Sequence, residues 1–116
     1  MSEFDAQSYA SFWKKQNEAE KKRIKDRTRK ALEEAHHIAT RLVLEAAVKK
    51  VVLFGSLAEN TVKNEQFDID LAVWGGNWSV AQEIGEKSPF SVDIVEYENL
   101  PPHLKKRIDA RGRPLL

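Results

Sequence analysis

Cysteine is absent from the 116 residues. Neither a disulfide framework nor a thiolate-held metal is available, which fits a reducing cytoplasm. No apolar run reaches the roughly eighteen residues of a membrane span, and no charged-then-apolar leader ends in small residues. The expectation is a soluble, cytoplasmic, unexported protein. Glycine and proline are scarce and come late: Gly55 is the first glycine and Pro89 the first proline, so nothing breaks a helix across the N-terminal half. No Gly-Lys-Ser/Thr ending and no G-x-G-x-x-G occur, which sets aside the Walker and Rossmann phosphate loops.

What is present is charge, unevenly placed. The net charge is only +1. Residues 14–30 nevertheless carry nine basic side chains against three acidic ones, and residues 51–116 carry seven against ten. A basic arm thus precedes a mildly acidic remainder. A hydrophobic content of 41% and the length suit one core, hence a single domain overall.

From about residue 8 to 48 good helix formers dominate, and Ile24, Ala31, Leu32, Ala35, Ile38, Ala39 and Leu42 recur at three- and four-residue steps. This reads as one long helix or two that meet end to end; a single helix of this length runs to about 60 Å, longer than such a domain is wide, so its first half projects, folds back or lies on a partner. Strands are expected at 51–54, 68–74 and 92–96. Ser79 with Gln82 forms a capping box for a short helix ending near Ser88-Pro89, and Pro101-Pro102 open another with body 103–109, followed by a turn at Gly112. The fold class expected is α/β (α+β): a small mixed sheet with flanking helices, preceded by a long N-terminal helix.

The chemistry centres on two carboxylates in one strand. Asp68 and Asp70 stand two residues apart, so both point to one face while Ile69 and Leu71 point to the other. Adjacent anions repel unless a cation lies between them. Oxygen donors without cysteine or a nearby histidine favour Mg²⁺ or Mn²⁺, and Asp93 on a neighbouring strand completes a set of three that could clamp an in-line displacement at phosphorus. Gly55-Ser56, at the end of the preceding strand, lets the backbone and the Ser56 hydroxyl approach phosphate oxygens. Standing alone, Asp-x-Asp is ordinary polar alternation and Gly-Ser an ordinary turn. The order Gly-Ser, loop, Asp-Ile-Asp-Leu-Ala-Val, later Asp strand is far more specific.

The stretch "GSLAENTVKNEQFDIDLAV", with the ending "VDIVEYENLPPHLKKRIDARGRPLL", resembles the polymerase-β-like nucleotidyltransferase superfamily, and the small size points to its minimal nucleotidyltransferase (MNT) branch. The resemblance covers about residues 51–116. It implies a core at 49–116; the helical extension at 1–48, with its aromatic terminus, is the expected partner-docking region. It also implies that Gly55 and Ser56 bind the triphosphate, and that Asp68, Asp70 and Asp93 are the catalytic and metal-ligating acids. Members of this branch are commonly antitoxins of HEPN ribonuclease toxins, and some transfer AMP from ATP to a toxin tyrosine. The function implied is that of such an antitoxin, an adenylyltransferase using ATP and Mg²⁺ (or Mn²⁺). The alternative is an antitoxin that neutralises by binding alone, and operator DNA binding by the complex is a further possibility. Two departures stand out. Eleven residues rather than ten separate Gly-Ser from Asp68, and Ala58-Glu59-Asn60 stands where many members have Ala-Arg-Gly. An acid at Glu59 replaces a cation that could meet phosphate, so weakened or altered nucleotide binding is expected.

Elsewhere the bland readings prevail. The basic arm reads as a solvated or partner-binding helix before it reads as a phosphate binder. Phe4, Tyr9, Phe12 and Trp13 suggest an interface anchor. His36, His37 and His103 are structural or solvated, Trp74 and Trp78 pack rather than stack on a base, and Lys49 and Lys50 suit the C-terminal end of the helix dipole.

Overall fold

The computed structural model describes the backbone of residues 6–116, with side chains from Ala10 onward. Phe4 and the Tyr9 side chain lie outside the described residues. Helix α1 spans Ala6–Ala46, unbroken because no glycine or proline interrupts it. It sets the long dimension of the molecule, 68 Å against 29 and 18 Å. Ala31, Ala35, Ile38, Ala39, Leu42 and Ala46 are buried along one stripe. Four of these six are alanines, which let the helix lie close to the sheet. Residues 10–30 are exposed apart from half-buried Ile24 and Thr28; the turns before residue 21 project, while residues 21–30 run beside the segment 60–65. Ion pairs such as Arg29 to Asp26 and to Glu33, each at 2.9 Å, line the helix. They are solvent-screened and contribute little individually.

The helix stops at Ala46, short of the expected 48, where Ala47 takes a φ of 55°. Lys49 and Lys50 therefore lie beyond it and do not serve its dipole. Lys50 opens strand β1 (Lys50–Phe54), its Nζ 4.8 Å above the Trp74 ring. Helix α2 (Gly55–Glu59) follows directly, then strand β2 (Ile69–Trp74), helix α3 (Trp78–Glu86), strand β3 (Val92–Glu96), a 3₁₀ turn (Tyr97–Asn99), helix α4 (Pro102–Arg111) and strand β4 (Arg113–Pro114).

The sheet has the order β3-β2-β1-β4. Only β2 and β3 are parallel, joined by the α3 crossover; β1 pairs antiparallel with β2 and with β4. Strand β4 was not foreseen. It is only two residues long, and its neighbours Leu115 and Leu116 add bonds to Val51 at 2.9 and 3.0 Å. Helix α3 starts differently from the expected capping box. Asn77 is the cap, its Oδ1 accepting from the Val80 amide at 3.2 Å, while the Gln82 side chain donates to the Ile94 carbonyl at 3.1 Å.

The two faces of the sheet are unlike. Val51, Leu53, Ile69, Leu71, Val73 and Ile94 are buried against α1, α2 and α3. On the opposite face a smaller cluster of Val52, Ala72 and Ile108 is covered by α4, with Trp74 stacked on Tyr97 at 4.3 Å. Trp74 thus packs within the sheet face, whereas Trp78, also expected to pack, is exposed. The second face is only partly covered, and the acids of β2 and β3 use the uncovered part.

Asn60 closes α2 at φ 59° and ψ 41°, its amide bonded to the Ser56 carbonyl. Glycine and asparagine are the residues that tolerate this left-handed position. Replacing Asn60 with Gly is expected to leave stability unchanged or slightly raised in urea unfolding, whereas Asn60→Val should cost about 1–2 kcal/mol.

Candidate functional site

The site begins where β1 becomes α2 without a connecting loop. Gly55 makes that turn at φ +79°, and a Cβ built there would collide with the Asp70 carboxylate. Backbone conformation and close approach both demand glycine. The strand register then sets the acids. Phe54 pairs with Asp70 across β1 and β2, and Asp70 with Asp93 across β2 and β3. Asp68 lies just ahead of β2 and fronts the same cavity as Asp70.

Asp70 is half-buried, while Asp68 and Asp93 are exposed. Burial, reinforced by the charges of Asp93 and Asp68, pushes the Asp70 carboxyl from its ordinary 3.8 up to about 6. Among the described residues none of the three has an ion-pair partner. Nor, among the described residues, is any group of three or more His, Cys, Asp or Glu placed to hold an ion by itself. The three acids share a neighbourhood without closing into a cluster, as uncompensated like charges do. Their chemistry, all hard oxygen with surplus negative charge on a solvent-open sheet face, fits a divalent Mg²⁺ or Mn²⁺.

Two cavities meet at this point with Ser56 and Thr61 as their common wall. One, of about 340 Å³, is lined further by Lys63, Gln66, Asp68 and Asp70. The other, of about 350 Å³, is lined further by Gly55, Glu59, Arg107 and Arg111. Here the structure alters the expectation drawn from Glu59. Arg107 donates to its carboxylate through Nε at 3.1 Å and Nη2 at 3.0 Å, and Arg111 through Nη1 at 3.1 Å. The Arg107 and Arg111 guanidiniums hold the Glu59 carboxyl below its ordinary range. The acid thus brings two cations to the cavity beside Gly55 and Ser56. Sequence reading passed over both arginines; their four-residue spacing, which puts them on one face of α4, was the available signal.

The loop before Asp68 is tied to α1. Arg23 Nε donates to Glu65 Oε1 at 3.0 Å, Arg27 Nε donates to the Glu65 carbonyl at 3.1 Å, and the Arg27 guanidinium lies 4.7 Å over Phe90. Part of the basic arm therefore positions the loop that delivers the first acid. Farther out, Phe12 and Trp13 are exposed and meet edge to face at 5.8 Å. His36, His37 and His103 are all exposed. Among the described residues no helix is long and apolar enough to cross a membrane.

The family model for "Polymerase beta, Nucleotidyltransferase" matches residues 36–116. No curated protein matches the chain. Similar solved structures include a toxin-antitoxin crystal structure with AMP-PNP, 22% identical at a TM-score of 0.57 over 70% of this chain and 72% of that one. A mutant of the toxin-antitoxin MntA-HpeT is 19% identical at 0.55 over 70% and 71%. The toxin-antitoxin MntA-HepT is 19% identical at 0.51 over 72% and 71%. These likenesses are likenesses of fold.

The raised carboxyl has a consequence for stability. Its folded value lies above its unfolded one, so the penalty of ionising Asp70 is absent below pH 4 and complete only above pH 6. In chelator, Asp70→Asn is therefore expected to be more stable than wild type at pH 7.5, by about 1–2 kcal/mol once solvent screening is allowed for, and equal to it near pH 3.5. Urea unfolding at the two pH values checks this, and added Mg²⁺ should stabilise wild type but not the variant.

Proposed function

The chain belongs to the polymerase beta nucleotidyltransferase family, and on that premise we propose that it is an adenylyltransferase antitoxin, which moves AMP from ATP to a tyrosine hydroxyl of a HEPN ribonuclease toxin and so silences it. The observation that carries the reading is Asp70 beside Asp93 on one open sheet face, with Asp68 lining the same cavity as Asp70 and Gly55-Ser56 next to them. The toxin-antitoxin complexes of similar fold, one of them with an ATP analogue, support the choice of partner and nucleotide.

In this reading Asp68, Asp70 and Asp93 hold Mg²⁺, which when bound neutralises phosphate charge and polarises the reacting oxygens. Gly55 and Ser56 cradle the triphosphate, the glycine because nothing projects from its backbone. The acceptor oxygen bonds to the α-phosphorus as the bond to the bridging oxygen of the β-phosphate breaks, and pyrophosphate departs. Asp93, exposed at the side of the cluster away from β1, takes the hydroxyl proton. Positioning and charge compensation supply most of the rate, as is usual for phosphoryl transfer.

The acceptor is a bound protein, because a core this small has little surface left for recognising one by itself. The projecting turns of α1 before residue 21, with exposed Phe12 and Trp13, are the docking surface. Removing residues 1–20, which leaves Arg23 and Arg27 on the loop before Asp68, should abolish capture of the toxin while the remainder still unfolds cooperatively; capture by the truncated chain would move the docking surface elsewhere.

Label from α-labelled ATP with Mg²⁺ is expected on the co-expressed toxin and lost in the Asp68→Asn, Asp70→Asn double variant. Absence of label, with the double variant still binding and neutralising the toxin, would instead establish inhibition by binding alone.

A further inference from the structure

We propose that Arg107 and Arg111 form the binding site for the distal phosphates of the nucleoside triphosphate, and for pyrophosphate as it departs, with Glu59 as the residue that positions them. The inference rests on the nucleotidyl-transfer reading, and it adds to that reading a second wall of the site, drawn from the C-terminal helix.

The geometry points this way for three reasons. Ser56 and Thr61 line both cavities, with Asp68 and Asp70 on one side and Arg107 and Arg111 on the other. A polyphosphate chain crossing Ser56 therefore has acids suited to a metal at one end and guanidiniums at the other. The charge also fits. Two arginines on one carboxylate leave a surplus of one positive charge in the cavity. Lastly, donors remain free of Glu59. Arg107 spends Nε and Nη2 on Glu59 and keeps Nη1, while Arg111 spends Nη1 and keeps Nε and Nη2.

Exposure arranges these groups in depth. The Glu59 side chain is 10% exposed, whereas those of Arg107 and Arg111 are 62% and 66% exposed. The acid lies beneath and the two guanidiniums stand above it, facing solvent and the cavity. Planar forks held in this way suit phosphate oxygens better than a mobile ammonium does. Glu59 itself is fixed by α2, whose first residues are Gly55 and Ser56, so the arginines are referenced to the same backbone that meets the phosphates.

The test uses the full-length wild-type chain and the arginine reagent phenylglyoxal, read residue by residue by mass spectrometry, with binding measured in parallel by equilibrium dialysis. MgATP and inorganic pyrophosphate are expected to shield Arg107 and Arg111 at least several-fold, while AMP does not; exposed Arg29 serves as the unshielded control. The Arg107→Gln, Arg111→Gln variant should bind ATP about 10- to 100-fold more weakly and AMP as well as wild type does. If ATP binds but neither arginine is shielded, or if ATP and AMP affinities fall together, the pair is a clasp between α2 and α4 and the inference fails, with nucleotidyl transfer left standing. If wild type binds no ATP in Mg²⁺ or Mn²⁺, that reading and this inference fall together.

Discussion

The closeness of the Gly55 backbone to the Asp70 carboxylate governs the rest of the site. It can exist only because β1 enters α2 through a residue at φ +79° with no side chain. It also fixes what must surround it. With Phe54 opposite Asp70 and Asp70 beside Asp93, the two strand registers deliver the acids to one place. A slip of one residue would carry Asp70 to the covered face and Leu71 to the open one. The buried row of Val51, Leu53, Leu71 and Val73 forbids that slip, so the apolar core enforces the position of the charges.

Each outer helix has two functions along its length. In α1 the residues from Ala31 onward seal one face of the sheet, while Arg23 and Arg27, a turn or two earlier, secure the loop that leads to Asp68. In α4 Ile108 closes the second face against Val52 and Ala72, and its neighbours Arg107 and Arg111 reach Glu59. Packing residues thus locate chemical ones at helical spacing. The second face stays open on the side of β3, where solvent reaches the acids. That opening is also why Asp70 is only half-buried, so its carboxyl is raised but not trapped in neutral form.

Much of this was legible from local pattern. The alternation in Asp-Ile-Asp-Leu-Ala-Val told the strand and the face of Asp70, because a two-residue period leaves no other arrangement, while Asp68, expected in the same strand, lies one residue ahead of it. Helix over about residues 8–48 followed from composition; that it is a single helix, Ala6–Ala46, was left open by the sequence. What escaped was decided by competition or by distance. Asn77 and Ser79 are both good caps, and only the preceding Gly75-Gly76 turn, with positive φ at both glycines, lets Asn77 begin the helix. Strand β4 has no strand pattern of its own and exists because β1 offers it an edge. The pairing of Glu59 with Arg107 and Arg111 spans 48 and 52 residues, with nothing local to announce it.

That last pairing changes how the departure at Ala58-Glu59-Asn60 should be weighed. Taken as a short motif, an acid in place of a cation subtracts positive charge beside Gly55-Ser56. Taken in the folded chain, the acid gathers two cations from α4, and the local sum moves from negative to positive. Asn60 follows the same logic, since the left-handed turn after α2 needs a residue that tolerates positive φ, and asparagine serves where glycine is missing. Under the proposed nucleotide reading, this corner needs a tight turn, an uncovered backbone and a surplus of positive charge. Three residues in a row can meet them in some chains. Here the turn and backbone are met by Gly55 and Asn60, and the charge is drawn from a helix half the chain away, so a motif read without its fold understates the site.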